Sequence, residues 1–214
     1  MRPRGRSRPS SSPSFRPRPE LAALALLLAA ACATARLPAP GVAEKARAAT
    51  SWSGSLRVSV RGQDLRGRSH VLVAFRRPDA MRIEIPGPSG ARLVAVARAD
   101  RLTAVLPAER ARLESAAGPA DFEALLGVAL SPSELMDVLL GIAPAAARRY
   151  EADWGAALPR RVRAELVDGT KLDARVDEAE ADIALPAAAF DPPPCNDCRT
   201  IDVNEARRLL SGRQ

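Results

Sequence analysis

Ser51-Trp52-Ser53-Gly54-Ser55-Leu56-Arg57-Val58-Ser59-Val60, followed beyond Gly62-Gln63-Asp64 by Leu65-Arg66-Gly67-Arg68-Ser69-His70-Val71-Leu72-Val73-Ala74-Phe75, is the stretch that decides how this chain folds. Trp52, Gly54, Leu56, Val58 and Val60 take every second place with serines and an arginine between them. That is the period of a strand buried on one face. Leu65, Gly67, Ser69, Val71, Val73 and Phe75 repeat the pattern after the turn. Met81, Ile83 and Ile85 alternate with Arg82 and Glu84 up to the breaker Pro86-Gly87-Pro88-Ser89-Gly90. Residues 91–97 are apolar on both faces at several positions, and strands are expected at 102–106 and 110–114. Short strands at hairpin spacing predict an antiparallel meander.

The period then changes. Phe122, Leu125 and Leu126 fall at helical spacing within Pro119–Leu126. Ser131-Pro132-Ser133-Glu134 predicts a second helix, with Ser131 as its N-cap, proline in its first turn and Glu134 completing a capping box. That helix presents Leu135, Val138, Leu139 and Leu140 before Gly141 and Pro144 end it. Extended structure resumes at 150–154, and Val162, Ala164 and Leu166 lead into Asp168-Gly169, a favoured hairpin dipeptide. Leu172, Ala174 and Val176 return, Ile183 and Leu185 are expected to form a last strand, and a short amphipathic helix is expected over 203–210. Ahead of the sheet, residues 33–50 read as a tether with one short helical possibility at 42–49.

A sheet with one apolar face needs a partner layer, and two short helices in the middle and one at the end must cover some nine strands. Either the sheet packs solid on itself, or the helices cap a cavity lined by Leu56, Val58, Val71, Val73, Ile83, Ile85, Leu135 and Leu139. Apolar strand residues form solid core more often than they form a pocket, and periodicity alone leaves both readings open. Aromatic residues are only 3% of the chain, so the core must be aliphatic.

Ahead of this domain stand six arginines, one acid and the apolar run 21–31, which ends in Ala29-Ala30-Ala31-Cys32. Basic flank, short apolar run and small residues are the three parts of a secretory signal. The run is shorter than the ~20 residues of a spanning helix. A cysteine directly after three small residues resembles the lipobox of bacterial lipoproteins, although Ala29 stands where leucine is usual. The resemblance implies that Cys32 is acylated by palmitate-class chains, with the signal cut before it, and that no cofactor beyond this covalent lipid is needed. The alternative is ordinary secretory cleavage near Ala31 or Ala35. Ala33 and Thr34 follow the cysteine with no aspartate, which in such lipoproteins implies the outer membrane rather than the inner. The chain carries 32 basic and 25 acidic residues, but residues 1–31 hold six arginines and one glutamate, leaving 26 against 24. With a net charge near +2 and no basic stripe interleaved with aromatics, no nucleic-acid partner is expected.

The order of features from Trp52 to Phe190 resembles the LolA/LolB-like superfamily, which includes the outer-membrane receptor of bacterial lipoprotein localisation. Three segments carry the resemblance: the opening strand with Ser53-Gly54-Ser55-Leu56-Arg57-Val58; the stretch from Ile83 through Pro86-Gly87-Pro88-Ser89-Gly90 to Leu93; and the helix pair from Phe122 to Gly141. It implies a mainly β fold with helices, an unclosed antiparallel β-barrel curled around a hydrophobic cavity with the helices as plug or lid. It also implies acyl chains of lipoproteins or another lipid as ligand, attachment at the periplasmic face of the outer membrane through the lipid anchor, and a periplasmic lipoprotein carrier as partner. Residues 1–31 are then the signal peptide, 32–50 the lipidated cysteine and tether, 51–191 the half-barrel, and 192–214 a Pro/Cys turn with the last helix. In the loop Pro88, Ser89, Gly90, serine stands where the family's receptor carries a protruding leucine, so delivery into a membrane is in question while the cavity is not. The rival reading is an envelope lipoprotein whose solid barrel docks a partner and takes no lipid.

Enzyme chemistry finds little support. The single histidine, His70, alternates with Val71 and Val73 and is expected to face solvent. There is no Gly-x-Ser-x-Gly elbow for a triad, and Gly87-Pro88-Ser89-Gly90 lacks the lysine and helix of a phosphate loop. Asp177-Glu178-Ala179-Glu180-Ala181-Asp182 reads as a solvated hairpin turn or a weak cation site. Cys195 and Cys198 supply half of a structural zinc site at most; in an exported protein a local disulfide is the first reading, with a redox dithiol or metal ligation as alternatives. No metal site is expected.

Overall fold

The computed structural model describes residues 37–62 and 66–211. Cys32 and the leader, as well as Leu65 and part of the turn before it, lie outside these described residues. Residues 35–214 form a compact unit with its own core.

Six strands follow one another as the alternation dictates: β1 (Ser51–Arg61), β2 (Arg66–Arg76), β3 (Ala80–Gly87), β4 (Gly90–Arg98), β5 (Arg101–Leu106) and β6 (Ala111–Ala116). Helix α1 (Val42–Ala48) precedes them, while α2 (Pro119–Leu126) and α3 (Pro132–Leu139) interrupt the sheet. Then come β7 (Ala147–Trp154), β8 (Pro159–Leu166), β9 (Lys171–Ala181), β10 (Arg199–Thr200) and α4 (Val203–Ser211). The sheet order is β10-β6-β5-β4-β3-β2-β1-β9-β8-β7. Its two ends do not meet, so the fold is an open half-barrel. Every pairing is antiparallel except β10 on β6, which is parallel and makes the sheet mixed.

Several expectations are corrected. Ile183 and Leu185 form no strand: the chain leaves the sheet after Ala181, Ser51 Oγ donates to the Ile183 carbonyl (2.7 Å), and Leu185 packs against Val94, Val96 and Phe190. The acidic stretch from Asp177 is no hairpin turn but the end of β9, where Glu178 to Ala181 pair with Trp52 to Ser55 beyond a bulge. The breaker at Pro86 contracts to a two-residue turn at Pro88-Ser89, because Pro86 still pairs with Ala91 and Gly87 with Gly90.

The apolar character of β4 on both faces has a physical reason. Leu93, Ala95 and Ala97 enter the main core, while Val94 and Val96 point the other way and are covered by Phe190, on a short 3-10 turn (Ala187–Phe190) that crosses the outer face. After that crossing, Cys195 and Cys198 form a disulfide with Cα atoms 5.4 Å apart, β10 caps the sheet edge, and α4 places Ala206 in the core.

Candidate functional site

The inner face of the sheet is graded from one end to the other. At one end Trp52 lies opposite Phe75, with ring centroids 5.7 Å apart and planes 5° from parallel. Gly54 makes room for that indole: a Cβ there would lie 2.8 Å from the Trp52 ring and 2.3 Å from the Glu178 carbonyl oxygen. Further along β1 the neighbours shrink. Leu56 faces Val71, Val58 faces Ser69 on β2 and Ala174 on β9, and Val60 faces Gly67. Small side chains in those rows cannot meet the helices above them, and a cavity of about 160 Å³ remains. The barrel is therefore solid at its aromatic end and hollow at the other.

All eight residues expected to line a cavity are brought together there: Leu56, Val58, Val71, Val73, Ile83 and Ile85 from the strands, and Leu135 and Leu139 from α3. Leu125 and Leu126 of α2 complete the roof beside Val128 and Val138, and Leu210 and Ser211 of α4 stand at its edge. The periodicity had no means of placing α4 there. Arg92 was missed for a different reason. Ile85 pairs with Leu93 and Pro86 with Ala91, so Arg92 is the extra residue of a bulge. A bulge re-aims its side chain, and Arg92 turns onto the cavity lining, where its guanidinium donates to the Leu210 carbonyl. A proline directly after an alternating run, as at Ile83-Glu84-Ile85-Pro86, was the available signal.

The roof is fixed by named contacts. At the start of α3 the Glu134 N–H donates to Ser131 Oγ (3.3 Å) and the Ser131 N–H to the Glu134 carboxylate (2.9 Å), closing the capping box. Near its end, Tyr150 of β7 donates its hydroxyl to the Val138 carbonyl (3.0 Å), and Arg77 pairs with Asp137. Burial pushes the Tyr150 phenol well above its usual range, so it remains a neutral donor. Gly141 ends the helix at φ +81°, where a Cβ would fall 2.5 Å from the Trp154 ring.

Chemically, the cavity lining is mostly aliphatic. Ser69 and Ser211 are its hydroxyls, no histidine or carboxylate stands among the described lining residues to activate either, and Arg92 is the one charge. His70 is exposed on the opposite face. Pro88 and Ser89 are exposed at the turn between Ile85 and Arg92, hence at the rim of the cavity, and Gly90 opens β4. No helix among the described residues is long and apolar enough to cross a membrane.

No family model matches the chain, and no curated protein matches it. Solved structures similar to it include a LolA superfamily protein from Nitrosomonas europaea, at 9% identity and a TM-score of 0.42 over 73% of this chain and 98% of that one. A DUF1329 family protein from Desulfovibrio piger is 12% identical at a TM-score of 0.42, covering 70% and 92%. A putative outer membrane lipoprotein-sorting protein domain from Vibrio parahaemolyticus is 8% identical at a TM-score of 0.38, covering 70% and 94%. These likenesses are distant, and what the cavity can hold follows from its own lining.

Proposed function

We propose that this protein binds acyl chains in its half-barrel, is held at the periplasmic face of the outer membrane by lipid on Cys32, and serves lipoprotein localisation or lipid transfer. The observation that carries the reading is the cavity: aliphatic side chains from β1, β2, β3 and β9 converge under α2 and α3 around space that the protein itself does not fill. An apolar space of about 150 Å³ stays dry and takes a benzene-sized guest. The space here admits the end of one chain, and a whole chain requires α2 and α3 to move outward. Arg92 offers the polar end of such a ligand a cation at the rim. Covalent lipid fits the same picture, since one acyl chain holds a protein only marginally and two or more hold it stably.

Mass spectrometry of lipids extracted from purified residues 35–214 tests the binding. Stoichiometric acyl lipid is expected; a lipid-free protein that also ignores fluorescent fatty acids would return the chain to the rival reading of a solid interaction module. Fractionation of a Cys32→Ala variant tests the anchor separately. The variant should leave the membrane, and one that still sediments with outer membrane in high salt refutes the attachment.

A further inference from the structure

The outer face of β2, β1, β9, β8 and β7 is rich in cations in the half nearer the β1–β2 turn, whereas beyond His70 and Arg57 the same face carries Leu72, Glu178 and Glu180. The strand register lays His70, Arg57, Arg175 and Arg161 side by side across four strands, ending on Asp153 of β7. The next row runs Arg68, Ser59, Asp173, Arg163 and Glu151, and the next Arg61, Lys171, Glu165 and Arg149. The ion pairs there are Arg57 with Asp177, Arg161 with Asp173, Arg163 and Arg149 with Glu151, and Lys171 with Glu165. Arg61, Arg68 and Arg175 close no ion pair among the described residues, although Arg61 lies in the field of Asp173 and Arg175 in that of Asp177.

Like charges directly opposite one another destabilise a sheet. Arg175 has Arg57 on one side and Arg161 on the other, each already paired with its own carboxylate, so Arg175 is a cation in excess of its near neighbours. We infer that this face docks on an anionic phospholipid surface. Five strands about 4.8 Å apart present the cations over roughly 19 Å, a spacing suited to many head groups at once. The rows hold no aromatic or large aliphatic side chain, and such anchors are what the centre of a specific protein interface is built from. A polybasic patch against anionic lipid needs none of them. The face lies on the other side of the sheet from the cavity, so docking leaves the cavity and its roof clear.

The test is co-sedimentation of residues 35–214 with phosphatidylcholine vesicles, with and without about one third phosphatidylglycerol. Binding should require phosphatidylglycerol and disappear in high salt. The variant Arg61→Thr/Arg68→Thr/Arg175→Thr should bind about 100-fold more weakly, from roughly a factor of five per cation near an anionic surface. It breaks no ion pair among the described residues, so its melting temperature should change little, and this confirms that it is folded. A control, Lys45→Gln/Arg101→Thr/Arg208→Gln, removes as many cations elsewhere and should keep most of the binding. Equal binding to both vesicles overturns the proposal, as does an equal loss in the control, which would make net charge the only cause. Indifference to vesicles with retention on polyglutamate also overturns it and assigns the face to an acidic protein.

Discussion

Ser69→Leu is expected to raise stability while removing lipid binding, two outcomes that a solid core could not give together. Ser69 lies on the cavity wall opposite Val58, and its hydroxyl makes no hydrogen bond among the described residues, so its loss strands none of their polar groups. Leucine puts three carbons where serine has one oxygen, and at about 0.8 kcal/mol per buried methylene the ceiling is about 2.4 kcal/mol. Fixing a leucine side chain costs about 0.5 to 1 kcal/mol, and the cavity is partly open, so about 1 to 1.5 kcal/mol should remain. At about 2 to 4 °C per kcal/mol for a domain of this size, the melting temperature should rise by about 2 to 6 °C. The same leucine occupies the ligand's place, so titration with a fluorescent fatty acid should show affinity at least about tenfold weaker, the equivalent of roughly 1.4 kcal/mol. If the space is already filled, overpacking should lower stability by about 1 to 3 kcal/mol instead. A fall in melting temperature would refute the void, and unchanged fatty-acid binding in the stabilised variant would refute its use as the site.

Tyr150→Phe removes one of the donors to the Val138 carbonyl, which keeps the Gly141 N–H, and should cost about 1 kcal/mol by chemical denaturation, with faster amide exchange confined to α3. Gly141→Ala combines a left-handed backbone with a methyl driven into the Trp154 ring, and should cost about 2 kcal/mol or more, read as a fall in melting temperature. The hydrogen bond from Arg161 holds the Asp173 carboxyl below its usual range, so its contribution is complete above the unfolded value and lost as pH falls through the folded one. In Asp173→Asn the difference from wild type, at most about 1 kcal/mol for so exposed a pair, should therefore be present at neutral pH and shrink steadily as pH falls below the ordinary carboxylate range.

The parts of the fold legible in the sequence were those set by near neighbours. The alternation from Trp52 to Phe75 gives the inner face of β1 and β2, and Ser131 with Glu134 marks the start of α3, because each signal lies within a turn or a strand of its own effect. β10 is two residues long and has no period to read; it exists because the edge of β6 accepts it. Ile183 and Leu185 alternate like a strand but lie where the chain leaves the sheet for the outer face, a course anchored by Phe190 against Val94 and Val96. The lining residues followed from the alternation, whereas the hollow itself follows from which partners the register sets opposite Val58 and Val60. That pairing of Ser69 and Gly67 with large neighbours is a cross-strand property. Arg92 was hidden because a charged residue in a strand reads as solvent-facing until the bulge is known.

The parallel pairing of β10 with β6 has a consequence for the nascent chain. Arg199 sits beside Ala111, 88 positions earlier, so β6 emerges with a bare row of backbone amides and carbonyls long before its cover exists. An uncovered edge is a template for pairing with another molecule. While the chain is being made, the interval between the two segments is therefore the period in which this protein is most prone to self-association, and a chain truncated ahead of Arg199 should form oligomers through β6 rather than simply lose a helix. The far edge, β7, protects itself with Arg149, Glu151 and Asp153 and needs no such late closure.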